Sequence, residues 1–390
     1  GITAGFTDTD GNHTGSTATN TVSLTVNKAA TAFTIFVNGS SSASVTYGST
    51  AILAESGLPA GATGLVTFFT SGGIPLCAFI YGFLPGGTTT SCNVWPNLPV
   101  AAYSGIYATF IDLDGNYLSS KAPNTVALTV TKATPKVTWP APAPITYGTR
   151  LGGSQLDATA SVPGTFSYSP AAATVLQPGT QTLSVTFSPM DATDYSSATA
   201  STTILVGFTQ ACLTTTDNGS LAVSKGQAIC IGPGGRVTGS VSVASGGALW
   251  VSAGTIGGSL GSTGALGITV CGTKVTGSVT VAGSSGPVIL GGSGCAADTL
   301  GGSVNVTGST AGVLFDSSTV TGSLTISNNS AGVTVSGNDV TGSAAVSSNS
   351  GGVTFTNNTV WGSLAITYNT GPFAYSGNVV HGSTTNKGNT

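Results

Sequence analysis

The chain has 390 residues, of which 40% are hydrophobic and 5% are charged, and its net charge is −3. Abundant apolar residues with little charge are the opposite of a disordered composition. The nine Lys and Arg residues are scattered singly, which argues against a nucleic-acid partner, because phosphate binding needs clustered basic residues. No apolar run approaches the length of a membrane span. The length suggests two to four domains.

The opening segment of the chain returns later. Residues 1–28 match the segment that begins at Gly105 at 17 of 28 positions without a gap. We therefore interpret residues 1–28 as the C-terminal strands of a truncated domain, and residues 29–131 as its complete copy. The abundant Val and Thr favour β-structure, and no stretch has a helical period. The sequence predicts an all-β protein.

A second complete unit is predicted over residues 132–206. The two units open alike, with SVTYGST at Ser44 and PITYGTR at Pro144. Alternating apolar and polar runs follow, such as LVTFF at Leu65 and LSVTF at Leu183, and Gly/Pro turns separate them. Period-2 alternation with regular turn signals is typical of β-sandwiches.

Three segments carry a family resemblance: VTYGS at Val45, TVALTVTKATP at Thr125 and FSPMDATDYSSATASTTILV at Phe187. They resemble bacterial Ig-like repeat domains, which occur in tandem in large surface proteins. The resemblance covers residues 1–206 and implies tandem Ig-like β-sandwiches that serve as stalks, spacers or adhesin arms. It supplies no catalytic residues.

A different repeat occupies residues 207–390. Its mark is an xxGS motif, with spacings of 19, 19, 25, 20, 20, 20 and 20 residues between successive copies. Like residues recur in columns at this spacing, as stacked coils require. The sequence therefore predicts a parallel β-helix of roughly eight turns, more often right-handed than left-handed for so long a coil. It resembles the β-helices of bacterial surface and secreted proteins. Leucine-rich repeats have a similar period but need several leucines and a helix in each unit.

The aligned columns define the expected interior of the β-helix. Stacked Asn amides can hydrogen-bond from one turn to the next. One apolar column contains Leu300, Val320, Val340, Val360 and Val380. The two polar columns contain Asn329, Asn349 and Asn369, and Asn338, Asn358 and Asn378.

The six cysteines fall into three close pairs. Proximity favours disulfides, although six cysteines allow many other connectivities. A metal site is the rival interpretation, but no CxxC spacing occurs and the only histidines are His13 and His381. Disulfides would indicate an oxidising, extracellular compartment. The predicted pairs are Cys77 with Cys92, Cys212 with Cys230, and Cys271 with Cys295.

Parallel β-helices often carry polysaccharide lyases and glycosidases, so an enzymatic function must be weighed. Such chemistry needs paired carboxylates or a base in a charged cluster. The single glutamate, Glu55, lies in the sandwich region. We predict no catalytic residues and no enzyme, with a polysaccharide-degrading β-helix as the remote alternative. The charged residues after Val237 are Lys274, Asp298, Asp316, Asp339 and Lys387.

The pattern Asp-x-Asp-Gly-Asn occurs twice and resembles the first half of a Ca²⁺ loop. No Glu follows either copy to close the loop, so a turn built by Asx capping is the competing interpretation. We expect no other cofactor. The residues are Asp8, Asp10 and Asn12 in the first copy, and Asp112, Asp114 and Asn116 in the second.

Assembly is the function that we predict. Residues 1–28 offer only two strands and would leave an apolar face uncovered, and the last turn, which contains Val380, has no capping helix. We expect an extracellular subunit that joins copies of itself head-to-tail in a filament. The alternative is part of a cell-surface adhesin or stalk whose β-helix binds carbohydrate or a surface, with Trp361 and His381 as contact residues. The apolar face contains Ile2, Phe6, Val22, Leu24 and Val26.

Overall fold

A computed structural model of the chain describes residues 1–82, 90–292 and 294–390. Every regular element in these ranges is a β-strand, which confirms that the protein is all-β. None of the described residues forms a helix able to cross a membrane. The chain divides into two compact units. The first contains Gly1–Lys136, Ala160–Thr165 and Phe187–Ala198, and the second contains Val137–Thr159, Phe166–Thr186 and Thr199–Thr390.

Two sheets form the main body of the first unit. Alternate side chains of both sheets point into one apolar core, as the period-2 pattern predicts. The smaller sheet is antiparallel and contains Thr34–Val37, Ile52–Ser56 and Ser91–Asn93. The larger sheet contains, in spatial order, Ser42–Thr46, Val126–Thr131, Ala101–Asp112, Gly64–Phe69 and Pro75–Tyr81, with Ser120–Lys121 paired to Ala101–Asp112.

Residues 1–28 form very little regular structure. Gly5–Phe6 pairs antiparallel with Ser16–Thr17, and one further bridge joins Ile2 to Val22. Almost every side chain in this segment is exposed.

Residues 132–207 contain two small sheets. Ile145–Thr146 pairs in parallel with Ala198–Gly207 at the edge of the larger one. Two-sheet organisation agrees with the sequence, whereas the Ig-like topology and the boundaries of the four domains stay predictions. The strands are Val137–Thr138 with Thr159–Ala160 in one sheet, and Ile145–Thr146, Ala198–Gly207, Gly179–Pro189 and Gly164–Ser169 in the other.

The predicted β-helix is confirmed. Three parallel sheets run along it, and each coil contributes one strand to each sheet, except the last, which has described strands in the first two sheets only. The first sheet contains Thr216–Asp217, Arg236–Val237, Thr255–Ile256, Lys274–Val275, Thr299–Leu300, Thr319–Val320, Asp339–Val340, Thr359–Val360 and Val379–Val380. The second contains Leu221–Val223, Val241–Val243, Leu260–Thr263, Val279–Ala282, Val304–Thr307, Leu324–Ser327, Ala344–Ser347, Leu364–Thr367 and Thr384–Lys387. The third contains Ala228–Ile231, Ala248–Ser252, Gly267–Cys271, Val288–Gly291, Val313–Asp316, Val333–Ser336, Val353–Thr356 and Phe373–Ser376.

Successive coils are aligned so that residues one sequence repeat apart are paired. Val313 pairs with Val333, which pairs with Val353, so equivalent residues lie directly above one another. The first and second sheets each have nine strands, one more than the roughly eight turns expected. The handedness of the helix stays a prediction. The inward apolar columns form one continuous core that extends from Val223 to Ile366.

The second unit has another core, to which both residues 137–208 and the β-helix contribute side chains. Trp139, Tyr147 and Leu183 pack in it with Ala228 and Ala248 of the third β-helix sheet. The outward face of the first coils is therefore covered, although outward residues of a β-helix normally face solvent.

Candidate functional site

The first Asn column forms a ladder inside the β-helix. The Oδ1 of Asn349 accepts both the backbone N–H and the side-chain Nδ2–H of Asn329, at 3.0 and 2.9 Å. Asn349 in turn donates through the same two groups to Asn369 Oδ1, at 3.0 and 2.8 Å. Its Nδ2 also donates to the carbonyl of Ile326 in the coil below. Each buried amide is thus satisfied by an amide of its own kind one coil away.

The second Asn column repeats this geometry at another corner. Asn338 donates through its backbone N–H and its Nδ2 to Asn358 Oδ1, both at 3.0 Å. Asn358 donates in the same way to Asn378. The stacked amides predicted from the sequence are therefore present in both columns, and all of them are almost fully buried except Asn378 in the last coil, which is half-buried.

Asp298 occupies the position of this second column in the 25-residue coil, where a carboxylate replaces the amide. Its Oδ1 accepts the backbone N–H of Thr273 at 2.7 Å, whereas its buried Oδ2 has no hydrogen-bond partner among the residues that the structure describes. Burial raises the pKa of Asp298 to about 6, although backbone N–H groups of Thr273, Gly291 and Gly272 oppose the rise. A buried carboxylate at this position costs more free energy than an amide that is hydrogen-bonded to the next coil.

Three disulfides are present, with the pairing predicted from proximity. Their Cα–Cα distances are 5.9, 4.5 and 5.2 Å. The second pins residues 209–213 to the first coil, where Leu213 adds a bridge to Ile231 and partly covers the core. The third ties the extra residues of the 25-residue coil to the coil before it. The pairs are Cys77–Cys92, Cys212–Cys230 and Cys271–Cys295.

The first calcium candidate, Asp8 with Asp10 and Asn12, is folded as an Asx turn. The Asp8 carboxylate accepts the N–H groups of Asp10 and His13, and Asp10 accepts the N–H of Asn12. The hydrogen bond from the His13 N–H is the main reason that the pKa of Asp8 is lowered. Oxygens that a Ca²⁺ ion would use already accept backbone hydrogen bonds.

The second candidate, Asp112 with Asp114 and Asn116, makes the same kind of turn. Asp112 Oδ2 accepts the N–H of Gly115 at 2.9 Å and lies 3.4 Å from Lys28 Nζ, and Asp114 accepts the N–H of Asn116. Burial alone would raise the pKa of Asp112, but the hydrogen bonds outweigh it and the pKa is lowered. Across the described ranges, no three His, Cys, Asp or Glu side chains lie close enough to hold a metal ion.

The remaining polar candidates of the β-helix have ordinary structural partners. Asp316 Oδ1 accepts the hydroxyl of Ser336 in the next coil. Asp339 Oδ1 accepts the indole N–H of Trp361 at 2.9 Å, and the Trp361 ring stacks on His381 with centroids 4.2 Å apart. Trp361 is exposed, so the predicted contact residues do form one surface cluster, at a corner between the first and second sheets.

The predicted assembly face is exposed. The offset of 104 residues pairs each of its side chains with a side chain of the complete copy, and every partner there is buried. Val26 is 83% exposed and its equivalent, Val130, is 4% exposed. The face contains Ile2, Phe6, Val22, Leu24 and Val26, and the buried equivalents are Ile106, Phe110, Val126, Leu128 and Val130.

The last coil shows the same contrast over a smaller area. Phe373 and Tyr375 are 36% and 37% exposed, whereas their equivalents Val353 and Phe355 are buried. Val380, the remaining predicted assembly residue, is half-buried and packs against the β-helix core.

The DATDY segment, which the sequence analysis used only to infer the fold, also makes contacts with the preceding repeat. In the first unit, the DATDY segment lies against the body of residues 29–131. Asp194 Oδ1 accepts the backbone N–H of Val100 at 2.8 Å, and the Tyr195 ring meets the Tyr47 ring edge-on with centroids 5.4 Å apart. Successive repeats are therefore joined by specific contacts that involve repeated tyrosines.

Sequence reasoning missed one concave site. A cavity of about 410 Å³ opens on the first unit between the turn at Thr70–Ile74 and the loop at Val94–Pro99. Its rim carries Trp95 and Ile74, 74% and 66% exposed, and its lining includes Tyr103. The Trp-Pro and Leu-Pro pairs at residues 95–99 hint at a fixed loop, but only the fold shows that the indole stands in solvent.

No protein-family model and no curated protein matches the chain. The site geometry therefore carries the functional argument alone.

Proposed function

We propose that this chain is a non-enzymatic structural protein of the extracellular space, which associates head-to-tail with copies of itself. The three disulfides are consistent with a secreted protein. The carboxylates of the β-helix support a structural role, because Asp298 lies in the ladder and Asp316 and Asp339 accept side-chain hydrogen bonds. The ladders and the continuous core suit a stiff rod.

The observation that carries the proposal is the contrast in burial between repeated segments. The apolar face of residues 1–28 is exposed, although the same pattern is a sandwich core in residues 105–132. Residues 33–94 cannot serve as its partner without a strand exchange, because the strand Ala101–Asp112 already occupies them in each copy. We therefore propose that this face docks on the coil of residues 373–387 in the next copy, where Phe373 and Tyr375 are partly exposed.

Electron microscopy of the purified chain at near-physiological salt tests the proposal, with light scattering as a solution readout. We expect continuous fibres with one subunit per repeat. Replacing Leu24 and Val26 by Asp should abolish them, because buried unpaired charge opposes docking. Ser23→Asp with Thr25→Asp is the matched control and should leave the fibres intact, since these side chains alternate with the apolar ones. Monodisperse single particles at all concentrations would refute self-assembly.

A second candidate is a cell-surface stalk or adhesin built from bacterial Ig-like repeats. It is favoured by the Tyr47–Tyr195 and Val100–Asp194 contacts, which join successive repeats. Single rods that bind a glycan array through the surface of Trp361 would support it. Loss of that binding in Trp361→Ala, with retention in a variant of another exposed residue such as Met190→Ala, would locate the site.

A further inference from the structure

The Trp95 groove, defined by Thr70, Ile74, Pro75, Trp95, Pro99 and Tyr103, has two walls fixed before any ligand arrives. In the turn wall, the Thr70 N–H donates to the Ile74 carbonyl at 2.8 Å, and the Ile74 N–H donates to Thr70 Oγ1 at 3.1 Å. The loop wall is held by the Tyr103 hydroxyl, which donates to the Pro99 carbonyl at 2.9 Å. Groups held in place before binding lose little entropy when a ligand binds.

A covalent link connects the same two walls. Cys77 follows Leu76 on the turn wall and Cys92 precedes Val94 on the loop wall, and these two cysteines form a disulfide. Leu76 and Val94 are buried and form the floor of the groove. The disulfide therefore links the two walls covalently, and Trp95 is exposed above an apolar floor.

The lining selects an uncharged, apolar ligand. Among the described residues, no charged side chain lines the groove, so an ion would lose its hydration without a partner. The Tyr103 hydroxyl donates to Pro99, and Thr70 Oγ1 accepts from Ile74. The Thr70 O–H and the Asn97 amide are the main polar side-chain groups left in the lining, which are few for the many hydroxyls of a sugar. Two aromatic rings and two prolines around a concave surface suit an extended proline-containing peptide, which is pre-formed and uncharged.

The chain itself carries such a peptide. Residues 139–144 read WPAPAP, and the segment from Pro140 to Pro144 is outside regular structure and mostly exposed. Each residue before a proline is restricted to extended backbone, so the segment favours the polyproline conformation. Neither Ala141 nor Ala143 uses its N–H in a backbone hydrogen bond of the fold.

We propose that the Trp95 groove binds Pro140–Pro144 of a second copy of this chain. The contact is separate from the head-to-tail contact proposed above and does not depend on it. Trp95 supplies the ring surface and an indole N–H for a peptide carbonyl, and the apolar floor receives a proline ring.

Titration of the full chain with the peptide of residues 140–146, PAPAPIT, tests the proposal by calorimetry. The peptide contains no Trp, so the indole fluorescence of the protein gives a second readout. We expect saturable binding that weakens at least about tenfold in Trp95→Ala. Trp361→Ala, which removes another exposed indole, should bind as tightly as the parent.

Two further measurements separate the proposal from its rivals. A peptide in which Ala replaces all three prolines should bind at least about tenfold more weakly, because it has lost the pre-formed conformation. In sedimentation, the full chain with Pro140, Pro142 and Pro144 replaced by Ala should lose the same self-association as Trp95→Ala. Failure of PAPAPIT to bind at millimolar concentration, unchanged binding in Trp95→Ala, or preferential binding of a neutral hexasaccharide would overturn the proposal. The peptide titrations do not depend on the fibres, and the sedimentation comparison is made in the Leu24→Asp, Val26→Asp background that lacks them.

Discussion

The two-sheet body of the first unit and the β-helix of the second are both built from strands, but they treat buried polar groups differently. The core of residues 33–131 is apolar, and among the described residues its buried charged side chains are the carboxylates of Glu55 and Asp112. The β-helix places a column of Asn side chains at each of two corners beside an equally apolar core. Buried amides are excluded from one region and regular in the other.

Repetition explains the difference. In the two β-helix columns each buried Asn has an equivalent Asn 20 residues further along, at hydrogen-bonding distance, which satisfies its amide. In the two-sheet body each core position has different neighbours, and a buried amide would need a partner found only there. The stability of the two-sheet core therefore depends on the shape and volume of its side chains. The stability of the β-helix core depends on the alignment of its coils. Substitutions can test each dependence.

The largest effect is expected at Phe110 in the two-sheet core. Phe110→Ala should lower the free energy of unfolding by about 4 kcal/mol, because it leaves a cavity at a fully buried site. Denaturant unfolding measures the change. Phe6→Ala, the same substitution at the repeated position, should cost under about 0.5 kcal/mol in a chain kept monomeric.

Equal losses from the two phenylalanine substitutions would contradict the comparison, because Phe6 would then lie in a core of its own. A loss at Phe6 that appears only at high protein concentration would instead support self-association.

The ladder is tested at its centre. Asn349→Ala removes the acceptor of two buried donors on Asn329, so we expect a loss of about 3 kcal/mol in unfolding free energy. The matched control is Asn305→Ala, the same chemical change on the outward face of the second sheet, which should cost under about 0.5 kcal/mol. A loss no larger than the control's would mean that register, and not the amides, holds the coils.

The repeat spacing alone predicts the solenoid well, for a physical reason. In a periodic fold the contacts recur at the period of the sequence, so residues 20 positions apart are expected to be neighbours. Asn349 and Asn369 in one column, and Val333 and Val353 in another, are neighbours of this kind. The close cysteine pairs are predictable for a similar reason, since each disulfide closes a short loop.

The features that the sequence did not predict arise from contacts between residues that no repeat relates to one another. The indole of Trp95 is exposed at the rim of a groove between two segments that a disulfide links, and nothing near Trp95 in sequence indicates this. The packing of Tyr147 on Trp250, 5.5 Å between ring centroids, joins residues of two different repeats. The Asp-x-Asp-Gly-Asn pattern leaves both calcium and a turn open, because both use the same oxygens.

The free energy of unfolding should depend on pH through Asp298 in the second Asn column. Asp298 has a folded pKa of about 6, above its ordinary 3.8, so the folded state binds more protons between those values and stability falls as pH rises from about 4 to 6. Asp298→Asn restores the amide of the column and should raise the free energy of unfolding at pH 7 by about 2 kcal/mol, with little change at pH 3.5. Asp339→Asn, at an exposed position, is the control. A gain of equal size at both pH values would show that charge is not the cause.

The smallest effect is expected where the two kinds of core meet in the second unit. Tyr147 is buried, its hydroxyl is hydrogen-bonded to Thr269 Oγ1 at 2.9 Å, and Gly267 is required beside it, because an added Cβ would lie 2.9 Å from that hydroxyl. Burial raises the pKa of Tyr147 to about 12, so the hydroxyl stays protonated at neutral pH. Tyr147→Phe should cost about 1 kcal/mol, since the buried Thr269 hydroxyl loses its partner while the ring packing remains. Tyr368→Phe, on an exposed ring, should cost almost nothing.

Because one core spans residues 137–208 and the first coils of the β-helix, we expect Tyr147→Phe to shift a single calorimetric transition of the second unit. Two separate transitions, of which the substitution moves only one, would show that volume-dependent and register-dependent cores unfold independently even where they share side chains.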